Sequence, residues 1–469
     1  MKIAFHTLGC KVNQYETQAL KEKFQNRGYE IVGEDDFADV YVINTCTVTG
    51  LSDRKSRQYI RRAKKINPDS ITAVIGCYAQ VSPEEAKNIA GVNIVAGTNE
   101  KNKLPEYIEA YVRENGVACH IREWDELTEY EDTGIITSMD SRTRAFIKVQ
   151  EGCNRFCSYC IIPFARGSVR SRSVDDVVAE AKNLISQGFK ELVLTGINTA
   201  LYGMEKDFSD LVTEKKSENG DNKKEGEELY GIEVLVKEIN RLNGDFRIRI
   251  GSLEPNVIDA DYACRLLKYE KLCPHLHLSL QSGSNRVLKE MNRSYTREDY
   301  LKLVERLREH DTGFGVTTDV IVGFPGETEK DFEDSCSIVE TAGLSKVHVF
   351  KYSKREGTKA AQMKGHLSPE VKARRSDVLH RLSEKAAEAF CKRNIGTVRR
   401  VLLEQYDEAT GLLEGLSDNY IKVYCSGEES LCNSFINVEL TELYRDGVKG
   451  VMIHSSSPPS AVNSNEKVR

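Results

Sequence analysis

Glu151-Gly152-Cys153-Asn154-Arg155-Phe156-Cys157-Ser158-Tyr159-Cys160 sets three cysteines within eight residues, and the reading of this stretch decides the fold. Three thiolates on one tight loop can hold three corners of a cubane iron-sulfur cluster, leaving the fourth iron open to a ligand that is not protein. The C-x-x-x-C-x-x-C spacing differs from the paired C-x-x-C units of a structural zinc site, and no fourth Cys or His stands close by in sequence to complete a tetrahedron.

Outward from this loop the chain alternates strand and helix. Apolar runs at 145–149, 191–195, 246–250, 275–280, 316–322 and 346–350 read as strands of six β/α repeats, a partial or closed barrel. Ser173 with Asp176 three residues on has the form of a capping box opening a helix that runs through Leu184. Residues 205–228 are dense in Lys, Glu, Asp and Asn and read as a solvated surface insertion. Gly196, Asn198, Glu254, Gln281 and Gly323 each stand at or just past the carboxyl end of a strand, the face on which such barrels place their sites. Taken singly each is equally a turn residue, and Tyr159 is equally a core aromatic. Together they mark one end of the barrel.

Toward the N-terminus, runs at 2–8, 40–44 and 71–76 read as strands, with helical patterns at 15–27 and 52–65. This implies an open parallel α/β domain. Cys10, Cys46 and Cys77 each lie just beyond a strand end, where an open parallel sheet gathers its ligands. Any one of them alone is an ordinary cysteine. Three at equivalent positions point to a second ligand set, and Cys119 falls outside the pattern.

After the barrel, a helix opening with Pro369 and running over 368–393 leads to strands at 398–404, 419–425 and 435–443, a small antiparallel barrel. The expected organisation is an N-terminal domain at 1–122, a linker at 123–141, a central core at 142–365, a connecting helix at 366–393, a terminal barrel at 394–455 and a disordered tail at 456–469. A chain of 469 residues needs several such cores. Thirteen cysteines without a secretion signal argue for metal ligation or buried thiols rather than disulfides, and the absence of a membrane-length apolar run predicts a cytoplasmic protein with no membrane partner. The net charge of −6 gives no global attraction to nucleic acid, so any RNA site must be a local patch. Basic density lies at Arg54, Lys55, Arg57, Arg61, Arg62, Lys64 and Lys65, on the long helix at Lys372, Arg374, Arg375, Arg381, Lys392 and Arg393, and at Arg166, Arg170 and Arg172. Each such run is also what a solvated helix face looks like. Residues 395–453 carry five Lys or Arg against ten Asp or Glu, so the terminal barrel adds little phosphate attraction.

The 153–160 triplet, after a strand and ahead of β/α repeats, resembles the radical S-adenosylmethionine (SAM) superfamily, and with Cys10, Cys46 and Cys77 the chain resembles the methylthiotransferases over almost its full length. The resemblance implies an N-terminal cluster domain, a radical SAM (β/α)6 partial TIM-like barrel and a C-terminal TRAM barrel with an OB-like form. Thr7-Leu8-Gly9-Cys10-Lys11-Val12-Asn13, Asn44-Thr45-Cys46-Thr47 and Gly76-Cys77-Tyr78-Ala79-Gln80 resemble the branch acting on N6-threonylcarbamoyladenosine (t6A) beside the tRNA anticodon. Lys11-Val12-Asn13 matches neither the Gln-Met-Asn of the isopentenyladenosine branch nor the Pro-Lys-Asn of the ribosomal-protein branch.

The cofactors so implied are two 4Fe-4S clusters, one on Cys153, Cys157 and Cys160 and one on Cys10, Cys46 and Cys77, together with SAM contacted by Tyr159, Gly196, Asn198, Glu254, Gln281 and Gly323. The implied partners are tRNA and an electron donor such as flavodoxin or ferredoxin. The competing readings are methylthiolation of isopentenyladenosine or of a ribosomal protein, and a non-catalytic iron-sulfur RNA-binding protein.

Overall fold

In the computed structural model the described residues are 1–48, 50–114, 118–139, 143–205 and 231–453. The expected insertion beyond residue 205, the tail at 456–469 and the last residues of the 123–141 segment lie outside them. The chain forms two compact units that divide between Ala387 and Glu388.

The first unit opens with a six-stranded, all-parallel sheet: β1 (Lys2–Thr7), β2 (Glu30–Val32), β3 (Val40–Thr45), β4 (Ile71–Gly76), β5 (Ile94–Ala96) and β6 (Ala118–His120). Its order is β2-β1-β3-β4-β5-β6. Helices cover both faces, which is why β3 is buried at every position and reads as a continuous apolar run. The strands absent from the sequence reading, β2, β5 and β6, have three residues each, too few to display a period. The winding reverses between β1 and β3, and such a switch opens a crevice at the carboxyl ends of those strands.

The barrel strands follow: β7 (Arg144–Lys148), the two-residue pair β8 (Gln150–Glu151) and β9 (Arg170–Ser171), then β10 (Glu191–Thr195), β11 (Arg247–Ile250), β12 (Ser252–Leu253), β13 (His275–Leu278), β14 (Gly315–Val322) and β15 (Lys346–Lys351). Two parallel ladders, β11-β10-β7 and β12-β13-β14-β15, meet where Gly251 alone separates β11 from β12. All six expected barrel strands are present. Ser173 caps helix Val174–Ser186 by accepting from the Asp176 amide at 3.2 Å.

The segment expected to be a linker is a pinned strap. After a short turn at Trp124–Glu126 it has no regular structure, yet Leu127 and Ile136 are buried. Tyr130 OH donates to Lys148 O at 3.0 Å, Ile136 N to Glu180 at 3.1 Å, and Thr137 N and Ser138 N each to Glu22 at 2.9 Å. Most of its acids do face water; Glu131 alone turns inward, and the segment is held through backbone groups that no apolar period announces.

Helix Pro369–Asn394 carries the boundary between the units. The second unit is a closed barrel of β16 (Val398–Asp407), β17 (Leu412–Ser417), β18 (Lys422–Ser426), β19 (Phe435–Tyr444) and β20 (Gly447–Met452), in the order β16-β17-β18-β20-β19. Closure uses one parallel pair, β18 with β20. The sequence reading lacked β17 and β20. In β20, Gly447 lies so close to the neighbouring strand that a Cβ there would fall 2.1 Å from Lys422 O. A glycine of this kind weakens the strand signal while permitting the closure.

Candidate active site

The 153–160 loop is held by its own backbone contacts. β8 and β9 pair across its base, and Gly152 (φ +71°) crosses Ser168 so closely that a Cβ would fall 1.6 Å from its carbonyl oxygen. Only glycine fits there. Cys153 N donates to Gly167 O at 3.1 Å and Cys160 N to Cys157 O at 2.9 Å. Ser158 N donates to Met291 O at 3.0 Å, and Asn292 Nδ2 to the carbonyls of Arg155 and Phe156 at 3.1 and 3.2 Å. Burial pushes the Cys153 thiol to about 11 and the Cys160 thiol to about 12, and it raises Cys157 as well. A negative charge on Cys157 adds to both of the other shifts, so the three sulfurs share one electrostatic neighbourhood. Coordination would deprotonate them and reverse that penalty. Among the described residues no three His, Cys, Asp or Glu converge as ligands of a single ion. The loop offers three thiols on a backbone held by these contacts.

Tyr159, Asn198 and Glu254 meet beside this loop. Glu254 accepts from Asn198 Nδ2 at 2.8 Å and from Arg155 Nε at 3.1 Å, and its other oxygen pairs with Arg293 Nη1 at 3.1 Å. Arg293 Nη2 donates to Tyr159 OH at 2.9 Å. Gln150 bolts the end of β10 to the loop: its Oε1 accepts from Ile197 N and Asn198 N at 3.1 and 3.0 Å, and its Nε2 donates to Glu151 O and Gly152 O at 2.7 and 2.8 Å. Gly196 lies against that side chain, where a Cβ would fall 2.8 Å from Gln150 Oε1. The buried Asn198 Oδ1 has no hydrogen-bond partner among the described residues, so an acceptor is available to the amino group of a ligand. Sequence reasoning missed Arg293 and Gln150, since neither sits in a pattern that marks it.

Tyr159, Cys160 and Gln281, with Asp319, Ile321 and Phe350, line a cavity of about 200 Å³. Gln281 takes a positive φ of 69°, and its amide donates to Asp319 O at 2.8 Å. Gly323 is not among the lining residues. It packs on the long helix, where a Cβ would fall 2.5 Å from Lys372 Cγ.

Cys10, Cys46 and Cys77 follow β1, β3 and β4, which are adjacent in the sheet. At Gly9 (φ +116°) a Cβ would lie 2.8 Å from Cys46 Cβ and 3.2 Å from its Sγ, so two of the three loops touch. Asn13 ties them further, donating to Leu8 O at 2.8 Å and Thr45 O at 3.0 Å while its Oδ1 faces Cys10 Sγ at 3.9 Å. Burial pushes Cys46 to about 12, and charges on Cys77 and Cys10 add to the shift. Cys10 reaches solvent at the mouth of the crevice, but the dense walls still desolvate its thiol and raise its pKa. Cys119 lies apart on β6.

The arginines after the first loop correct the sequence reading, which counted them in a surface patch. Arg166, Arg170 and Arg172 are buried: Arg166 binds Glu16 at 2.8 Å, Arg170 binds Glu151 at 2.9 Å, and Arg172 pairs with Glu180. Arg375 on the long helix is likewise buried against Glu327. Guanidinium forks suit buried carboxylates as well as phosphates, and a residue count does not separate the two.

Comparison with known proteins agrees with this geometry. The Radical SAM superfamily matches residues 147–338 and the Uncharacterized protein family UPF0004 matches residues 2–97. The threonylcarbamoyladenosine tRNA methylthiotransferase MtaB of Bacillus subtilis (strain 168) is 41% identical over 93% of each chain. The chain belongs to the radical SAM methylthiotransferase family. A tRNA-2-methylthio-N(6)-dimethylallyladenosine synthase of Caldicellulosiruptor saccharolyticus is more distant, at 35% identity over 95% of this chain and 91% of its own. Among solved structures, the radical SAM methyltransferase TsrM of Kitasatospora setae shares the fold, with a TM-score of 0.54 at 16% identity over 77% of each chain. As a radical SAM methylthiotransferase the protein uses SAM and a 4Fe-4S cluster, and the three loop thiols and the unpartnered Asn198 acceptor fit those groups. No helix among the described residues is long and apolar enough to cross a membrane.

Proposed function

We propose that this methylthiotransferase adds a methylthio group at C2 of t6A beside the anticodon of tRNA. The 41% identity over 93% of both chains to a relative named for t6A carries this reading, against 35% to one named for dimethylallyladenosine. Cys153, Cys157 and Cys160 would hold the 4Fe-4S cluster, and Cys10, Cys46 and Cys77 a second one. When bound, these groups supply one-electron cleavage of the SAM sulfonium and an open iron able to carry sulfur.

The chain's own residues do the placing. Asn198 and Glu254 receive the amino end of SAM, Tyr159 and Gln281 border its cavity, and Gln150 keeps β10 in register with the cysteine loop. Ile321 and Phe350 give that cavity an apolar wall against which a substrate can be positioned. Exposed Arg54, Lys55, Arg61 and Lys65 on helix Gly50–Ile66, which starts four residues after Cys46, offer phosphate contacts to the anticodon stem. The electron comes from a donor such as flavodoxin or ferredoxin, and the work is cytoplasmic.

The test is anaerobic reconstitution with iron, sulfide, SAM, reductant and tRNA bearing t6A, followed by nucleoside mass spectrometry. The expected product is the 2-methylthio derivative of t6A. Methylthiolation only of dimethylallyladenosine would assign the other branch. C157A should lose 5′-deoxyadenosine formation, whereas C46A should keep it and lose the methylthio product.

A further inference from the structure

Arg166 ends helix Ile162–Arg166, six residues after Cys160, and its side chain reaches back into the N-terminal domain. Its Nη1 lies 2.8 Å from Glu16 Oε1, while its Nη2 lies 2.8 Å from Asn13 Oδ1 and 3.1 Å from Glu16 Oε2. The same Asn13 oxygen faces Cys10 Sγ at 3.9 Å. One buried guanidinium thus connects the chain just past the first cysteine triplet to the side chain that staples the loops of the second.

The charges around it do not balance. Lys101, Lys148, Arg166 and Arg170 are buried together, and Lys148 stands 3.1 Å from Glu151 and 3.6 Å from Glu16. Glu16 and Glu151 are the carboxylates these cations grip: Arg166 lies 2.8 Å from Glu16 and Arg170 2.9 Å from Glu151. Glu131, the third carboxylate, is pushed by burial to about 7. Arg166 is brought to the second triplet through Asn13, whose Oδ1 faces both Arg166 Nη2 and Cys10 Sγ. A guanidinium cannot shed its charge, so Arg166 is a permanent buried cation at this position and invites an anion.

We propose that Arg166 is a positioning residue for the cluster on Cys10, Cys46 and Cys77: it supplies a fixed positive charge beside it, raises its reduction potential, and holds it in register with the radical loop. This rests on the reading of those three cysteines as cluster ligands. The added electron places more negative charge on the cluster, and a nearby fixed cation favours that state. Glu16, which Arg166 grips at 2.8 Å, carries the opposite charge at the same place.

The full-length C153A/C157A/C160A protein, reconstituted anaerobically with iron and sulfide, isolates the second cluster, and its midpoint is read by EPR-monitored redox titration. R166Q in that background should shift the ratio of reduced to oxidised cluster at least tenfold toward the oxidised form, a fall of about 59 mV for one electron. E16Q, which removes a negative charge of similar shape, should raise the midpoint. Opposite signs are the signature of charge, since loosened packing alone would not reverse between the two variants. An unchanged midpoint in R166Q, or shifts of the same sign in both, would overturn the proposal. Should R166Q bind no cluster, E16Q decides: a rise supports the role and no rise refutes it. Failure of the background protein itself to bind a cluster would instead sink the reading of Cys10, Cys46 and Cys77.

Discussion

The two cysteine triplets reach comparable arrangements by different routes. Cys153, Cys157 and Cys160 sit on one loop whose base is clamped by β8 and β9, so most of their geometry is local. Cys10, Cys46 and Cys77 are separated by more than thirty residues at each step, and only the strand order β1-β3-β4 makes them neighbours. A local site survives as long as its loop survives. A site assembled by topology depends on every contact that keeps the strand ends in register, and Asn13 makes several of those contacts alone.

Glycine-to-alanine changes break this comparison most directly. At Gly152 the new methyl would meet a backbone carbonyl at 1.6 Å, at a positive φ, so β8 must part from β9. G152A should cost roughly 4 kcal/mol or more and abolish 5′-deoxyadenosine formation. At Gly9 the methyl would meet the Cys46 side chain at 2.8 Å, again at a positive φ, and a side chain yields more readily than a carbonyl. G9A should cost roughly 1–3 kcal/mol, depress iron content at the second site and leave SAM cleavage intact. Equal loss of SAM cleavage in both variants would mean that the two sites are not separable.

The buried charges between the triplets give a smaller, pH-dependent effect. Glu131 titrates at about 7 instead of 4.5 because it is buried, with the negative charge of Glu151 adding to the shift against the opposing pull of Lys148. Its Oε2 has no hydrogen-bond partner among the described residues. Between those two values the folded protein holds a proton that the unfolded chain has released, so this group lowers stability as pH rises, by up to about 3 kcal/mol above pH 7. Glu151 works in the other direction. Burial opposes its ionisation, yet Lys148, Arg170 and Arg166 hold it at about 2, so its contribution is present above about 4.5 and is lost as pH falls toward 2. E131Q should therefore raise the melting temperature at pH 8 and leave it little changed at pH 4.5. A wild-type-like pH profile in E131Q would remove Glu131 from this balance.

How much of this could be read from the sequence follows the same contrast. The local triplet was legible because its cysteines lie side by side in sequence, and the strand-end position of Cys10, Cys46 and Cys77 was legible because a parallel sheet brings such strand ends to one crevice. The six barrel strands were legible as buried apolar runs. Partner choice was not: Arg293, Gln150 and Arg166 act through residues more than thirty positions away, and no local pattern encodes that. The strap at 123–139 failed for a related reason, since its irregular backbone is held by Glu22 and Glu180 from distant helices.

The smallest expected effect concerns the arginines that follow each triplet. After Cys160 they are buried and structural; after Cys46, Arg54, Arg61 and Lys65 stand exposed at spacings of seven and four, which places them on one helical face. Arg62, one position away, pairs with Asp35 at 2.6 Å and stacks over Tyr59, so it is the poorer target. Reversing both Arg54 and Arg61 to Glu should weaken tRNA binding and reduce the slope of log affinity against log salt by about one unit for each phosphate no longer neutralised. SAM cleavage without tRNA should not change, because neither residue reaches the cysteine loop. R172E provides the contrast: buried against Glu180, its reversed charge should unfold this region rather than alter the salt slope. Unchanged affinity and slope in the double reversal would move the phosphate-binding surface off helix Gly50–Ile66. The exposed and buried arginine runs would then differ in burial alone, with neither of them an RNA surface.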